Sequence, residues 1–255
     1  RRVEVLPVKD NDEALGVNNR VQLAAAERAM QKRLREAAME NGATLIDPDT
    51  TYFDLTVSVE KDVVVHPNTS LRGHTHLGTG SQIGPNAYLT DAEIEPNAVV
   101  RGAVVERAKV GNGSHVGPFA HLRADTVLGA GVHVGSHAEI KASYIGSGTH
   151  IGHFSYIGDA SIGSQSNIGA GTVTCNFDGK SKQRTDIGDG AFIGSDTLLV
   201  APVTVGAGAM TGAGAVVTRD VSAGERVVGV PANPLRAKRT VKQSKPDDEG
   251  GQSLG

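Results

Sequence analysis

The chain has no tryptophan, and aromatic residues make up only 4% of its 255 positions. A core built around large rings is thereby excluded, so the interior must be filled by small aliphatic side chains in regular packing. A single cysteine, Cys175, leaves no partner for an internal disulfide and fits a reducing, cytoplasmic compartment. No apolar run nears the roughly 20 residues needed to cross a bilayer. The opening Arg1-Arg2-Val3-Glu4 is not a secretory signal. A net charge of −3 supplies no broad basic face, so neither nucleic acid nor a membrane is expected as a partner. The chain also opens without methionine, which reads as a segment of a longer protein.

What is abundant is glycine, at 33 residues, and a six-residue rhythm. From about Val65 an aliphatic residue recurs every six positions, often followed by glycine: Leu71, Leu77 and Ile83; then Val110, Val116, Leu122, Leu128, Val134 and Ile140; then Ile145, Ile151, Ile157, Ile162 and Ile168. After an interruption come Ile187, Ile193, Leu199, Val205, Thr211 and Val217. A helix repeats every 3.6 residues and a strand every two, so neither gives this period. It is the signature of a parallel β-helix of hexapeptide repeats, with one aliphatic side chain pointing inward on each flat face. Three hexapeptides close a triangular coil, and at roughly 4.8 Å per coil the repeat predicts about eight or nine coils in a prism roughly 40 Å long.

Two segments break the rhythm. Over 19–42, Leu23, Met30, Leu34 and Ala38 mark one helical face, Asn19 with Gln22 resembles a capping box, and Gly42 suits a C-cap. This predicts an amphipathic helical arm. Over 174–186 a polar loop with basic residues leaves the prism, the kind of place where function is put on a rigid scaffold. The division expected is a remnant of another domain at 1–18, the arm at 19–42, the β-helix at 43–236 and a disordered tail at 237–255.

The hexapeptide pattern resembles the left-handed β-helix acyltransferases. Longer strings resemble one family more closely: Gly117-Pro118-Phe119-Ala120-His121-Leu122-Arg123, Glu139-Ile140-Lys141, Gly152-His153-Phe154-Ser155-Tyr156-Ile157-Gly158-Asp159, Asn167-Ile168-Gly169-Ala170-Gly171-Thr172, Thr174-Cys175-Asn176-Phe177-Asp178-Gly179 and Gly194-Ser195-Asp196. On these the chain resembles the acetyltransferase part of the bifunctional glucosamine-1-phosphate acetyltransferase and N-acetylglucosamine-1-phosphate uridylyltransferases. The left hand of the coil is implied by that resemblance alone, and so are a homotrimer with sites between subunits and a role in supplying UDP-N-acetylglucosamine for bacterial cell walls. The family's nucleotidyltransferase domain, with its Gly-rich phosphate loop, has no counterpart in this sequence, so no uridylyltransferase activity is expected of it.

N-acetylation needs a neutral amine to attack the thioester of acetyl-CoA, and histidine suits the base that takes the amine's proton. The resemblance assigns that role to His153. Glu139 is our candidate to orient it. A phosphorylated sugar calls for cations, and Arg123 and Lys141 match the family's sugar-phosphate ligands. They are 18 residues apart, which stacks them on one face. Tyr156 and Asn167 match sugar-contacting positions, and Lys182 matches a position reaching into a neighbour's site. Ala170, Asn176, Phe177, Ser195 and Ala213 match CoA-contacting positions. Phe177 stands where many members have tyrosine, and Val228-Gly229-Val230-Pro231 lacks an arginine that some members use on CoA, leaving Arg226 or Arg236 as substitutes.

No metal is expected. His115, His133 and His150, each just before a core aliphatic, stack on one edge of the prism, but outward-facing imidazoles on successive coils do not converge tetrahedrally. Cys175 beside the loop is not needed as a nucleophile for direct transfer. Two other readings of the residues stay open at this point: a hexapeptide acyltransferase with a different amine or hydroxyl acceptor, and a non-catalytic β-helix whose loop serves assembly.

Overall fold

The computed structural model describes residue 3 and residues 11–235. The expected tail at 237–255, Arg236 and most of the segment 1–18 lie outside them. The described chain is a helix, α1 (Arg20–Glu40), followed by a parallel β-helix with three flat faces of 12, 10 and 9 strands. The first face begins at Thr44–Leu45, the second at Thr51–Phe53 and the third at Ser58–Val59.

The six-residue rhythm translates directly into core columns. On the first face Val134, Ile151, Ile168 and Ile193 are stacked in register. On the second, Leu122, Ile140 and Ile157 follow one another. On the third, Leu128, Ile145 and Ile162 do so. All are buried to 1% exposure or less. The column positions carry one aliphatic chain each, which is why the core needs no aromatic other than Phe53 at its start. At one coil of the second face the inward position is Thr174, whose hydroxyl accepts the Gly158 N–H at 2.8 Å and donates to the Gly158 carbonyl at 3.1 Å. A polar core residue is tolerated there because its hydrogen bonds are made.

The prism begins one coil before Val65. Thr44–Leu45 pairs with Val64–Val65, and Thr51–Phe53 with Thr69–Leu71. This first coil has nothing beneath it, and α1 supplies what a preceding coil would. The Gln31 amide donates to the Phe53 carbonyl at 2.7 Å and accepts its N–H at 2.9 Å. The Arg35 Nε donates to the Thr51 carbonyl at 2.8 Å. A solenoid end must be capped in this way.

The capping box forms with one change. Asn19 Oδ1 accepts the Gln22 N–H at 2.9 Å, while Gln22 Oε1 accepts the N–H of Asn18, not of Asn19. The apolar stripe expected on α1 is only half used. Ala38 is buried and Leu34 packs against the core. Leu23 and Met30 are 57% and 41% exposed, because the prism lies under the C-terminal half of α1 only. At the other end, Asn233–Pro234 pairs antiparallel with Arg226–Val228 and closes the first face.

Candidate active site

Register fixes which of the expected residues are neighbours. Val134, Ile151, Ile168, Ile193 and Thr211 form one column, so the residues two further on, Ser136, His153, Ala170, Ser195 and Ala213, form another. This second column runs along the edge between the first and second faces. Glycine before each edge residue makes it possible. A Cβ on Gly152 would lie 2.6 Å from the Ala170 N, and one on Gly169 would lie 2.5 Å from the Ser195 N. Only bare backbones stack this closely.

His153 is exposed, and its Nδ1 is 3.0 Å from Ser136 Oγ on the coil below. It borders a cavity of about 230 Å³ together with Asn167, Ala170, Gly152, Gly169, His133 and His150. The histidine ladder expected on the sequence is present here: ring centroids of His115 and His133 are 6.3 Å apart, and those of His133 and His150 are 5.7 Å apart. Partial burial, then the neighbouring imidazoles His150, His115 and His153, hold the His133 pKa below its ordinary value. Among the described residues no group of three or more His, Cys, Asp and Glu is arranged to hold a metal ion. A cavity of about 560 Å³ lies between α1 and the first coil and contains none of the expected site residues.

The cations sit on the second face. Leu122 pairs with Ile140, so Arg123 and Lys141 are stacked on consecutive coils as their spacing implied. Tyr156 lies on the next coil, above Glu139. A Cβ on Gly158 would come 2.5 Å from the Tyr156 hydroxyl, so the phenol folds over that glycine. Arg123, Lys141 and Tyr156 do not line the cavity beside His153. These residues and His153 flank the same edge from its two sides.

Two of the expected site residues make other side-chain contacts in this structure. Glu139, expected to orient His153, instead accepts a hydrogen bond from Arg123 Nη1 at 2.8 Å. That bond holds the guanidinium even more firmly protonated than usual. The group on His153 is Ser136, which the sequence reading missed; its only signal was its place 17 positions before His153, one coil below. Asn176, expected on the cofactor, is 5% exposed and its amide donates to Asp159 Oδ2. Its side chain ties down the root of the loop.

The loop itself is shorter than expected, running from 176 to 184 between strands Val173–Cys175 and Thr185–Ile187. Asp178 organises it, accepting the Lys180 and Ser181 N–H groups at 2.8 and 2.7 Å and the Gln183 amide at 2.9 Å. The Ser181, Gln183 and Lys180 bonds hold its carboxyl far below the usual carboxylate range. Phe177 is exposed, and Lys182 Nζ lies 5.7 Å from its ring centroid. Cys175, at the loop's root, has its thiol pKa raised by burial, the reverse of an activated nucleophile.

The family model for bacterial transferase hexapeptide repeats matches residues 107–142 and 184–219. The chain is 49% identical over 219 residues to the bifunctional protein GlmU of Carboxydothermus hydrogenoformans, covering 86% of this chain and 49% of that protein. It is 41% identical over 229 residues to GlmU of Streptococcus agalactiae, covering 90% and 50%. The chain belongs with the hexapeptide-repeat part of GlmU proteins. It spans about half the length of the curated relatives it matches. Among solved structures, LpxA from Acinetobacter baumannii superposes with a TM-score of 0.51 at 16% identity, covering 73% of this chain and 72% of that one, which speaks for the fold alone. With the hexapeptide family matched, the expected fold class stands: a left-handed parallel β-helix of hexapeptide repeats behind a helical arm. No helix among the described residues is long and apolar enough to cross a membrane.

Proposed function

We propose that this chain transfers the acetyl group of acetyl-CoA to the amine of glucosamine-1-phosphate, giving N-acetylglucosamine-1-phosphate and free CoA. The observation that carries the reading is the edge of the prism. A solvent-facing histidine stands in a column of otherwise small residues, with two stacked cations on the adjoining face.

In this reading the sugar lies across the edge. Arg123 and Lys141 take its phosphate, Tyr156 and Asn167 contact its hydroxyls, and His153 faces the 2-amine. His153 removes a proton as the amine nitrogen attacks the thioester carbon. The carbonyl oxygen becomes an oxyanion, and the Ala170 N–H on the edge is the donor assigned to it. Collapse of the tetrahedral intermediate breaks the C–S bond, and the CoA sulfur leaves with the proton held by His153. Acetyl-CoA is a co-substrate, and its extended arm fits along Ala170, Ser195 and Ala213, which span two coil steps or roughly 10 Å.

Acetyl-CoA needs a second wall, because these positions form an open edge in one chain. A homotrimer supplies it, with Lys182 and Phe177 of the exposed loop reaching the neighbouring prism's edge. The cations and the cavity beside His153 lie on either side of the edge, which supports the same arrangement. Thiol release from acetyl-CoA with glucosamine-1-phosphate tests the proposal, with glucosamine lacking the phosphate as control. Release that is equal for the two sugars contradicts the role of Arg123 and Lys141, and no release with either contradicts the activity.

A further inference from the structure

We infer that Ser136 is a positioning residue for His153: its hydroxyl fixes the imidazole in the Nδ1–H tautomer and so presents Nε2 as the base. The inference rests on the acetyl-transfer reading for its purpose, but its geometry stands on its own. Ser136 Oγ lies 3.0 Å from His153 Nδ1. The Ser136 carbonyl also accepts the N–H of Phe154 at 2.9 Å, so one residue holds both the ring and the turn that carries it. Gly135 completes the seat. A Cβ there would lie 3.3 Å from His153 Nδ1, so the imidazole rests against bare backbone and Nδ1 is directed at the Ser136 hydroxyl.

A base in a histidine pair or triad is normally oriented by a carboxylate. Among the described residues none lines the cavity beside His153. Glu139 is held by Arg123, and the cavity beside His153 is lined by His133, His150 and Asn167 with no acidic residue. A hydroxyl can accept from Nδ1–H or donate to a bare Nδ1. The first arrangement leaves the Nε2 lone pair free for the amine proton. The second puts a proton on Nε2 and leaves the ring no free lone pair. Only the first is compatible with a base, and it survives proton transfer, since imidazolium Nδ1–H still donates to Ser136 and does so more strongly.

The test reads the tautomer and the chemistry separately. The full chain is labelled with ¹⁵N-histidine, and the His153 ring signals are assigned by their loss in His153→Gln. In the unmodified chain above the titration range, Nδ1 is expected to be the protonated nitrogen and Nε2 the bare one. In Ser136→Ala the ring shifts toward the Nε2–H form, and kcat falls roughly three- to tenfold while KM for the sugar stays within about twofold. Ser136→Thr keeps the hydroxyl and restores both readings, which excludes a loss of folding as the cause. An Nε2–H ring in the unmodified chain, or a Ser136→Ala variant with unchanged tautomer and kcat, overturns the inference. Failure of the acetyl-transfer reading shows differently: no thiol release by the unmodified chain, whatever the ring signals say.

Discussion

Glu139 Oε1 lies 2.8 Å from Arg123 Nη1, across one step of the prism. The pair is 39–43% exposed at its side chains, so its worth lies in aiming the guanidinium and not in holding the fold. Glu139→Gln is therefore expected to leave the thermal midpoint almost unchanged. It should raise KM for the phosphorylated sugar severalfold, because a loosened Arg123 makes a poorer clamp. Arg123→Ala should raise that KM roughly tenfold or more, and leave the KM for acetyl-CoA unchanged. Steady-state kinetics with each substrate varied in turn checks both.

Much of this was legible in the sequence because a stacked fold turns spacing into position. The 18-residue interval between Arg123 and Lys141 implied their stacking, and the column from His153 to Ala213 follows from the same count. What escaped depends on where side chains reach. Glu139 bonds Arg123 on the coil below, and no count of residues says that it does so. Asn176 sits in a polar string that reads as loop, yet its bond to Asp159 pulls it inside.

The bare edge sets a second expectation. Gly152→Ala places a Cβ 2.6 Å from the Ala170 backbone N, a contact that only a backbone shift relieves. Its cost should be about 1–3 kcal/mol in urea unfolding. Acetyl transfer should fall further than stability does, since the shift moves both His153 and Ala170. Ile157→Ala, fully buried on the neighbouring core column, should cost about 2–5 kcal/mol and serves as the comparison for lost packing.

The histidine ladder makes stability depend on pH in a defined direction. His133 has a folded-state pKa below its ordinary value of 6.5, so between that lowered value and 6.5 the unfolded chain binds more protons than the folded one. Stability should therefore rise with pH through this window and fall as the solution is acidified. The groups facing His133 are His115, His150 and His153. His133→Gln should flatten the slope of the thermal midpoint between roughly pH 5 and 7, the range in which histidines titrate. An unaltered slope would place the dependence elsewhere.

The loop should hold its shape in mild acid. The Asp178 carboxyl is hydrogen-bonded in its ionised form, so its contribution is complete above the ordinary aspartate range and is lost only as pH falls through its depressed folded value. Asp178→Ala removes the acceptor of four hydrogen bonds from Lys180, Ser181 and Gln183. Limited trypsin digestion should then cut faster at Lys180, Lys182 and Arg184, while the melting of the prism changes little.

The decisive measurement is the rate of CoA thiol release by His153→Ala, with glucosamine-1-phosphate as acceptor and the fold checked by its melting curve. Loss of a positioned base should lower kcat by about 10²–10⁴-fold in a chain that melts normally. A variant that still turns over within a few fold of the unmodified chain contradicts the assignment of His153, and with it the chemistry proposed for this edge of the prism.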